Sequence, residues 1–281
     1  MPLLKKEVII VIPVYKDVIS DNEKRSLLQC FSVLKEFTVC FVCGTTFNMT
    51  AYETMIPQKT SYKIERFKDG YFKSIATYNR LCLSLGFYKR FKNYRYILLY
   101  QLDAWVFKNE LLHWCSLNYD FIGAPWFEGW GNATPDSAYL GVGNGGFCLR
   151  KVNSFIKVLH SFAYVTPFFS VLRHFKHNPS FNNFFLVFKN LTIGNNTFFL
   201  FNDYDFQEDY FWSKIAGKKF SWFKIADKEA ASLFSLEGNA PMLYNLNNNH
   251  LPFGCHAWEK YNKEFWLQFI NVNSSTNPQR I

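Results

Sequence analysis

Carboxylates and one imidazole, set far apart along the chain, are the residues that could do chemistry here. Asp103 closes RYILLYQLD (residues 95–103), a run apolar enough for a strand buried on both faces. A carboxylate in that place either caps the turn after the strand or reaches a divalent cation, because parallel-sheet enzymes bind ligands beyond the carboxyl ends of their strands. Glu208 and Asp209 open a helical stretch in DYDFQEDYFWSKIA, where the helix dipole favours acidic side chains. Pointing in different directions from one turn, the pair also allows one carboxylate to hold a substrate hydroxyl while the other takes a proton. His256 follows Pro252 and Gly254 in LPFGCHAWEKY, a constrained turn flanked by Trp258 and Lys260. It is either a structural histidine or, beside an anion site, a metal ligand or phosphate donor.

Two further stretches have the composition of a binding surface. GVGNGGFCLR (residues 141–150) sets its glycines ahead of a strand instead of at the opening of a helix, and it meets neither the dinucleotide pattern nor the P-loop pattern. Without side chains, Gly145 and Gly146 would let a ligand lie against the main chain, with Asn144 supplying an amide to it. FEGWGNATPDSAYL (residues 127–140) is a loop by composition. Trp126 and Trp130 beside it either stack on a sugar or anchor that loop.

A rigid scaffold has to bring these residues together. EVIIVIPVYK (7–16) is a β-branched run stopped by Pro13, hence a buried first strand. Residues 20–37 place Leu27, Leu28, Phe31 and Leu34 at helical spacing behind a Ser20 or Asp21 cap, and TVCFVCGT is a second strand. That β-α-β order predicts a parallel sheet with right-handed crossovers. A short helix at 49–55 and a strand in SYKIERF follow. The pattern over 70–91 predicts one long helix turning Ile75, Tyr78, Leu81, Leu85 and Tyr88 inward, ahead of the strand at 96–106 that carries Asp103. Residues 109–115 read as a short helix and 120–123 as a short strand. Further on, 203–216 predicts a helix with Tyr210, Phe211 and Ile215 inward, 224–229 a strand-like patch, and 232–239 the lead into a loop.

The stretch 155–201 is crowded with Phe and interrupted by Pro167 and Pro179, and it carries Lys157, Arg173, His174, Lys176, His177 and Lys189. It reads as an inserted helical lobe that either packs on the sheet or rests its aromatic and basic faces on an anionic membrane surface. The fold class is therefore α/β: a mostly parallel sheet flanked by helices, in one domain over 1–281, with an aromatic-rich helical insertion.

Bulk composition narrows the partners. A hydrophobic fraction of 49% in 281 residues suffices for a packed core, and 20% aromatic content suits sugar-stacking surfaces and membrane interfaces alike. The net charge of +9 favours anionic partners such as nucleotide phosphates and acidic lipids. It is spread thinly, with no dense basic tract or nucleic-acid-binding motif, so nucleic acid is not expected as a partner. Seven dispersed cysteines read as free thiols in a reducing compartment. Cys40 and Cys43, three apart on a strand, point to opposite faces and make a poor metal or redox pair. The apolar run after Lys5-Lys6 is too short and lacks a cleavage site for a signal peptide, and no run approaches a membrane span. A cytoplasmic protein is expected, in contact at most with the inner face of the membrane.

YILLYQLDAWVF, YDFIGAPW, GVGNGGFCLR, QEDYFW and PFGCHAW, in this order, resemble DUF5672, a family of bacterial and fungal proteins similar to GT-A glycosyltransferases. The resemblance runs from residue 8 to residue 258, with 155–201 carrying none of it. It implies a nucleotide-sugar-dependent transferase with a GT-A-like, Rossmann-type sheet, in which 7–126 bind the nucleotide sugar and 127–281 bind the acceptor. Most GT-A enzymes carry Asp-x-Asp at the end of a central strand; the matching place here reads Gln101-Leu102-Asp103, so only Asp103 is carried over as a ligand. The Glu-Asp pair that supplies the base in several inverting members falls on Glu208-Asp209, and the C-terminal His of the metal shell falls on His256. On this resemblance Asp103 and His256 hold Mn²⁺ or Mg²⁺, Asp209 is the base, and Glu208 binds acceptor or sugar hydroxyls. Pro13, Val14 and Tyr15 surround the nucleoside base, and Lys73 or Asn79 reaches ribose or phosphate. The acceptor would be a glycan or a lipid-linked glycan. A retaining transferase, or a GT-A-like module that binds glycan or nucleotide without turnover, are the alternatives; the missing first Asp favours the latter.

Overall fold

The structure is a computed structural model that describes residues 4–166, 173, 180–189, 192, 194–204 and 206–274. Of the insertion, Pro167, His174, Lys176, His177 and Pro179 lie outside the described residues. In chain order the strands are β1 (Val8–Pro13), β2 (Thr38–Gly44), β3 (Tyr62–Phe67), β4 (Tyr96–Tyr100), β5 (Trp105–Val106) and β6 (Phe121–Ile122). They continue with β7 (Ala124–Phe127), β8 (Tyr139–Gly143), β9 (Phe147–Lys151), β10 (Ser235–Leu236) and β11 (Gly254–Cys255).

The main sheet has the order β3-β2-β1-β4-β9-β6. β1 pairs in parallel with β2 and β4, and β2 in parallel with β3, while β9 runs antiparallel to both β4 and β6. The Rossmann-type, mostly parallel sheet is thus present. Its centre is buried on both faces, every residue of β1 and β4 being buried, which is why those strands read as unbroken apolar runs instead of alternating ones. Helix α1 (Asp21–Val33) makes the first crossover: Ser20 Oγ accepts from Glu23 N, and Glu23 accepts from Ser20 N in return. Leu27 and Phe31 face the sheet, but Leu28 is 48% exposed.

Differences from the sequence reading cluster where polar residues interrupt an apolar pattern. The single helix expected over 70–91 is two, Ile75–Cys82 and Leu85–Arg90. Ser84 ends the first by donating to Leu81 O at 2.8 Å and caps the second by accepting from Phe87 N. Ile75, at the first position of its helix, is 80% exposed and does not face inward. The strand expected over 96–106 is also two. Gln101 to Ala104 forms a tight turn closed by Ala104 N donating to Gln101 O at 2.9 Å. β5 then joins β11 and β10 in a separate three-stranded sheet. The loop expected after Trp126 is framed by the hairpin β7–β8.

The helix expected from 203 starts at Glu208 and runs to 219 through a π-helical stretch at Phe211–Ala216. Phe211 is buried, yet Tyr210 is 39% exposed. Residues 224–229 give only an isolated bridge, Ile225 to Phe121, before a helix at Lys228–Phe234. A closing helix, Lys263–Ser274, had no counterpart in the sequence reading; its Trp266 and Ile270 join Trp105 and Trp258 in a second, smaller core. All seven cysteines are free and buried, and burial pushes the Cys40 thiol up to about 12, so the Cys40/Cys43 pair is inert. Among the described residues no helix is long and apolar enough to cross a membrane.

Candidate functional site

Strand order leaves β1 outward to β2 and β3 on one side and resumes at β4 on the other. Such a reversal opens a crevice beyond the carboxyl ends of the strands. A cavity of about 770 Å³ lies there, with Pro13 and Tyr15 from the end of β1 and Gln101 and Asp103 from the end of β4 in its wall. Lys73 and Asn79 line it from the helix Ile75–Cys82 and the turn before it, Trp126 and Trp130 from the hairpin, Asn144, Gly145 and Gly146 from the turn into β9, and Glu208, Asp209 and His256 from the second half of the chain. The structure therefore brings together every site residue named from sequence except Val14. That residue is buried and lines an adjoining pocket of about 280 Å³, which shares Pro13, Tyr15, Gln101 and Asp103 with the cavity.

Gln101 N donates to Gly146 O at 2.7 Å, tying the end of β4 to the glycine turn. Asp103, half-buried in that turn, keeps Oδ1 away from solvent with no hydrogen bond of its own; the nearest cationic group is His256, with Nε2 at 3.2 Å. Gln101 Oε1 stands 3.4 Å from the same nitrogen, and Glu237 Oε1 lies 3.1 Å from His256 Nδ1. Burial alone would neutralise the imidazole, but Asp103 and Glu237 on its two sides outweigh it and push the His256 pKa up to about 10. For Asp103 burial acts upward, and His256 more than offsets it, so the carboxyl is held below its usual range.

A carboxylate oxygen, an imidazole nitrogen and an amide oxygen converging on one point suit a divalent cation such as Mn²⁺ or Mg²⁺. The 3.2 Å between Asp103 Oδ1 and His256 Nε2 is also a spacing that two donors bonded at about 2.1 Å to one cation can adopt. Among the described residues no cluster of three or more His, Cys, Asp or Glu side chains could hold a metal. A cation here would therefore keep positions open for oxygens of a ligand.

Glu208 and Asp209 differ sharply. Glu208 Oε1 accepts from Arg150 Nη2 at 2.5 Å, deep in the core, while Oε2 has no hydrogen bond. Asp209 Oδ2 accepts from Asn144 N and Oδ1 from Tyr210 N, both at 2.8 Å. Burial raises the Asp209 carboxyl pKa, and those two N–H donors only partly counter it.

The glycines have a cause the sequence reading missed. A Cβ on Gly146 would sit 1.9 Å from His256 Nε2, and one on Gly145 2.7 Å from Glu208 Oε1. These positions make room first for the protein's own imidazole and carboxylate, and the cavity lies beyond them. Trp126, Trp130 and Tyr261 form an aromatic wall, with ring centroids 6.4 Å apart in both pairs. Glu237 and Tyr261, which also line the cavity, were not singled out from sequence, and Gln101 and Lys260 were noted there without a role in the site. Glu237 did carry a usable signal: like Asp103, it follows the end of a short strand, here Ser235–Leu236, and it stands just before Gly238.

Fold and site together define an α/β protein with a ligand crevice at a topological switch point. Residues 61–256 match the family described as protein of unknown function, DUF5672, and the chain belongs to this family. No curated protein matches the chain. Among solved structures it is similar to apo mouse xyloside xylosyltransferase 1 at 9% identity, over 89% of this chain and 96% of that one, with a TM-score of 0.47. It is also similar to a mannosyltransferase from Pyrobaculum calidifontis in complex with GDP-Man and Mn²⁺, at 13% identity over 58% and 49% of the two chains, TM-score 0.37. A third is the mannosyltransferase Ktr4p of S. cerevisiae, at 10% identity over 44% and 40%, TM-score 0.35. The chain spans less than half the length of either mannosyltransferase.

Proposed function

We propose that this protein is a nucleotide-sugar-dependent glycosyltransferase of GT-A type that inverts the anomeric centre and delivers the sugar to a glycan or lipid-linked acceptor. The observation that carries this reading is the meeting of Asp103, Asp209 and His256 in one cavity at the switch point of a mostly parallel sheet. In this reading Pro13 and Tyr15 border the nucleoside base with Val14 behind them, and Lys73 or Asn79 reaches ribose or phosphate. Asp209 takes the proton from the acceptor hydroxyl as its oxygen bonds to the anomeric carbon. The bond from that carbon to the diphosphate oxygen breaks, and its electron pair leaves with the diphosphate. A buried carboxylate of raised pKa is a stronger base than an exposed one, which suits that task. Asp103 and His256, with Gln101 beside them, would hold Mn²⁺ or Mg²⁺, which neutralises the leaving diphosphate when bound. Glu208 is left one oxygen for a sugar hydroxyl, because Arg150 engages the other. We place the protein in the cytoplasm, which its seven free thiols suit, with the insertion at 155–201 as the part that would meet the inner face of the membrane.

Incubation with a panel of UDP- and GDP-sugars and Mn²⁺ should release nucleoside diphosphate, and EDTA should stop that release. The amide of Gln101, standing where a second carboxylate would strengthen metal binding, favours one other reading: a module that binds glycan or nucleotide without turnover. No release with metal or without it would establish that module instead. NMR of the product's anomeric proton separates inversion from retention.

A further inference from the structure

The amide of Asn144 is a buried donor that the protein itself does not use. Asn144 is 2% exposed and adopts φ 86°, a conformation Asn tolerates better than most side chains. Its Oδ1 accepts from Gly146 N at 2.9 Å and Phe147 N at 3.1 Å, which fixes the amide plane and leaves Nδ2 at the opposite end. That Nδ2 has no partner, although the residue lines the cavity. Buried donors in native proteins are almost always paired, so an unpaired one in a cavity wall calls for a ligand atom. The main-chain N–H of the same residue donates to Asp209 Oδ2 at 2.8 Å, so the residue that carries the free amide is tied to the carboxylate, and both line the same cavity.

Immediately before Asn144, Gly143 has no room for a side chain: a Cβ there would lie 1.6 Å from Trp126 Cζ2. The Trp126 indole therefore lies against the backbone that presents Asn144. Its Nε1 is a second buried donor without a partner, and Trp130 and Tyr261 extend the ring surface.

We propose that Asn144 and Asp209 are the two halves of an acceptor-hydroxyl site and that the acceptor is a carbohydrate whose ring lies on Trp126. A hydroxyl needs a donor for its oxygen and an acceptor for its proton, and this pair offers one of each. A sugar ring adds an apolar face for the indole and further hydroxyls for Nε1, which a simple lipid alcohol lacks. This assignment rests on the transferase reading above and extends it: the Asn144 amide orients the acceptor oxygen, the O–H proton passes to Asp209, and the oxygen bonds to the anomeric carbon as the diphosphate leaves.

Asn144→Asp is the informative variant, because it keeps Oδ1 for the two N–H groups and replaces the free donor with a carboxylate oxygen. The full-length chain is titrated with methyl α-mannoside, methyl β-galactoside and methyl β-xyloside by saturation-transfer NMR. A thermal melt serves as fold control, and nucleotide binding with Mn²⁺ as donor-site control. At least one glycoside is expected to bind the wild type, with affinity at least tenfold lower in Asn144→Asp and in Trp126→Leu while the Mn²⁺-nucleotide complex forms as before. Equal glycoside binding in both variants, or no binding of any glycoside by the wild type, overturns the proposal. Trp126→Leu decides alone should Asn144→Asp not fold. Glycoside binding through Asn144 in a chain that releases no nucleoside diphosphate overturns the transferase reading and leaves the carbohydrate site in place.

Discussion

Arg150 Nη2 donates to Glu208 Oε1 at 2.5 Å, and both side chains are almost wholly buried. The guanidinium also donates from Nη1 to Tyr88 Oη at 2.9 Å and lies over the rings of Phe121 and Phe155. β9 is thereby joined to the first turn of the helix that presents Asp209. Glu208, expected from sequence to bind acceptor or sugar hydroxyls, gives one of its two oxygens to this pair. Removing one member of a buried pair strands the other charge, at a cost of about 3–5 kcal/mol, whereas replacing both with apolar side chains is often tolerated. Glu208→Leu should therefore lower unfolding stability in urea by roughly that amount, and Arg150→Met with Glu208→Leu should recover much of it. A Glu208→Leu protein within about 1 kcal/mol of wild type would show that the pair is not what fixes this turn.

Asp209 is the residue on which transfer should depend most steeply. Asp209→Asn keeps the shape, and its amide oxygen can still accept from Asn144 N, but it has no proton-accepting carboxylate. Loss of general-base catalysis should lower transfer by roughly 10²- to 10⁴-fold with nucleotide binding unchanged. Full transfer activity in this variant assigns the base elsewhere.

The same carboxylate sets a pH dependence. Burial raises its pKa above the ordinary aspartate value, and the base must be ionised to act. Activity is therefore present above the raised pKa and lost as pH falls through it, so the acidic limb of kcat/KM should lie above the ordinary aspartate range. A profile that stays flat down to an ordinary aspartate pKa contradicts the burial argument.

What could be read from sequence follows from how each signal is generated. β1 and β4 were legible because burial on both faces leaves continuous apolar runs, and Asp103 because it ends one of them. The convergence of Asp103 with Asp209 and His256 was legible only through the order of motifs, since spacing says nothing about distant segments meeting. Ile75 and Tyr210 were misplaced for one reason: both fit an inward stripe by periodicity, but each sits in the first turn of its helix, where the stripe has not yet met the core. Glu237 was missed, and Gln101 was read only as a lost carboxylate, because their importance lies in what they touch, His256, and no local pattern encodes that contact.

A side chain at Gly146 should displace His256, although the glycine's backbone is not in the left-handed region. A Cβ there would come 1.9 Å from His256 Nε2 and push the imidazole away from Asp103. Gly146→Ala should thus weaken Mn²⁺ binding while the melting temperature changes little, because the clash falls on a side chain at a cavity wall. Mn²⁺ titration followed by electron paramagnetic resonance measures the first and a thermal melt the second. A large drop in melting temperature with unchanged Mn²⁺ affinity would make the glycine a matter of folding alone.

Glu237 provides the sharpest separation of a cation site from a plain ionic cluster. In a cation site the imidazole must present a bare Nε2 toward Asp103, which requires its proton on Nδ1, and Glu237 Oε1 at 3.1 Å is the acceptor that keeps it there. Loss of such an outer partner typically costs 10- to 100-fold in metal affinity, so Glu237→Leu should weaken Mn²⁺ binding by about that factor. Glu237→Gln, which retains an acceptor oxygen, should lose less. If His256 were instead only an imidazolium bridging two carboxylates, removing Glu237 would take negative charge from the cluster without touching a metal. Free Mn²⁺ would then remain undiminished on titration with wild type and variants alike, and that result would remove the cation from this site.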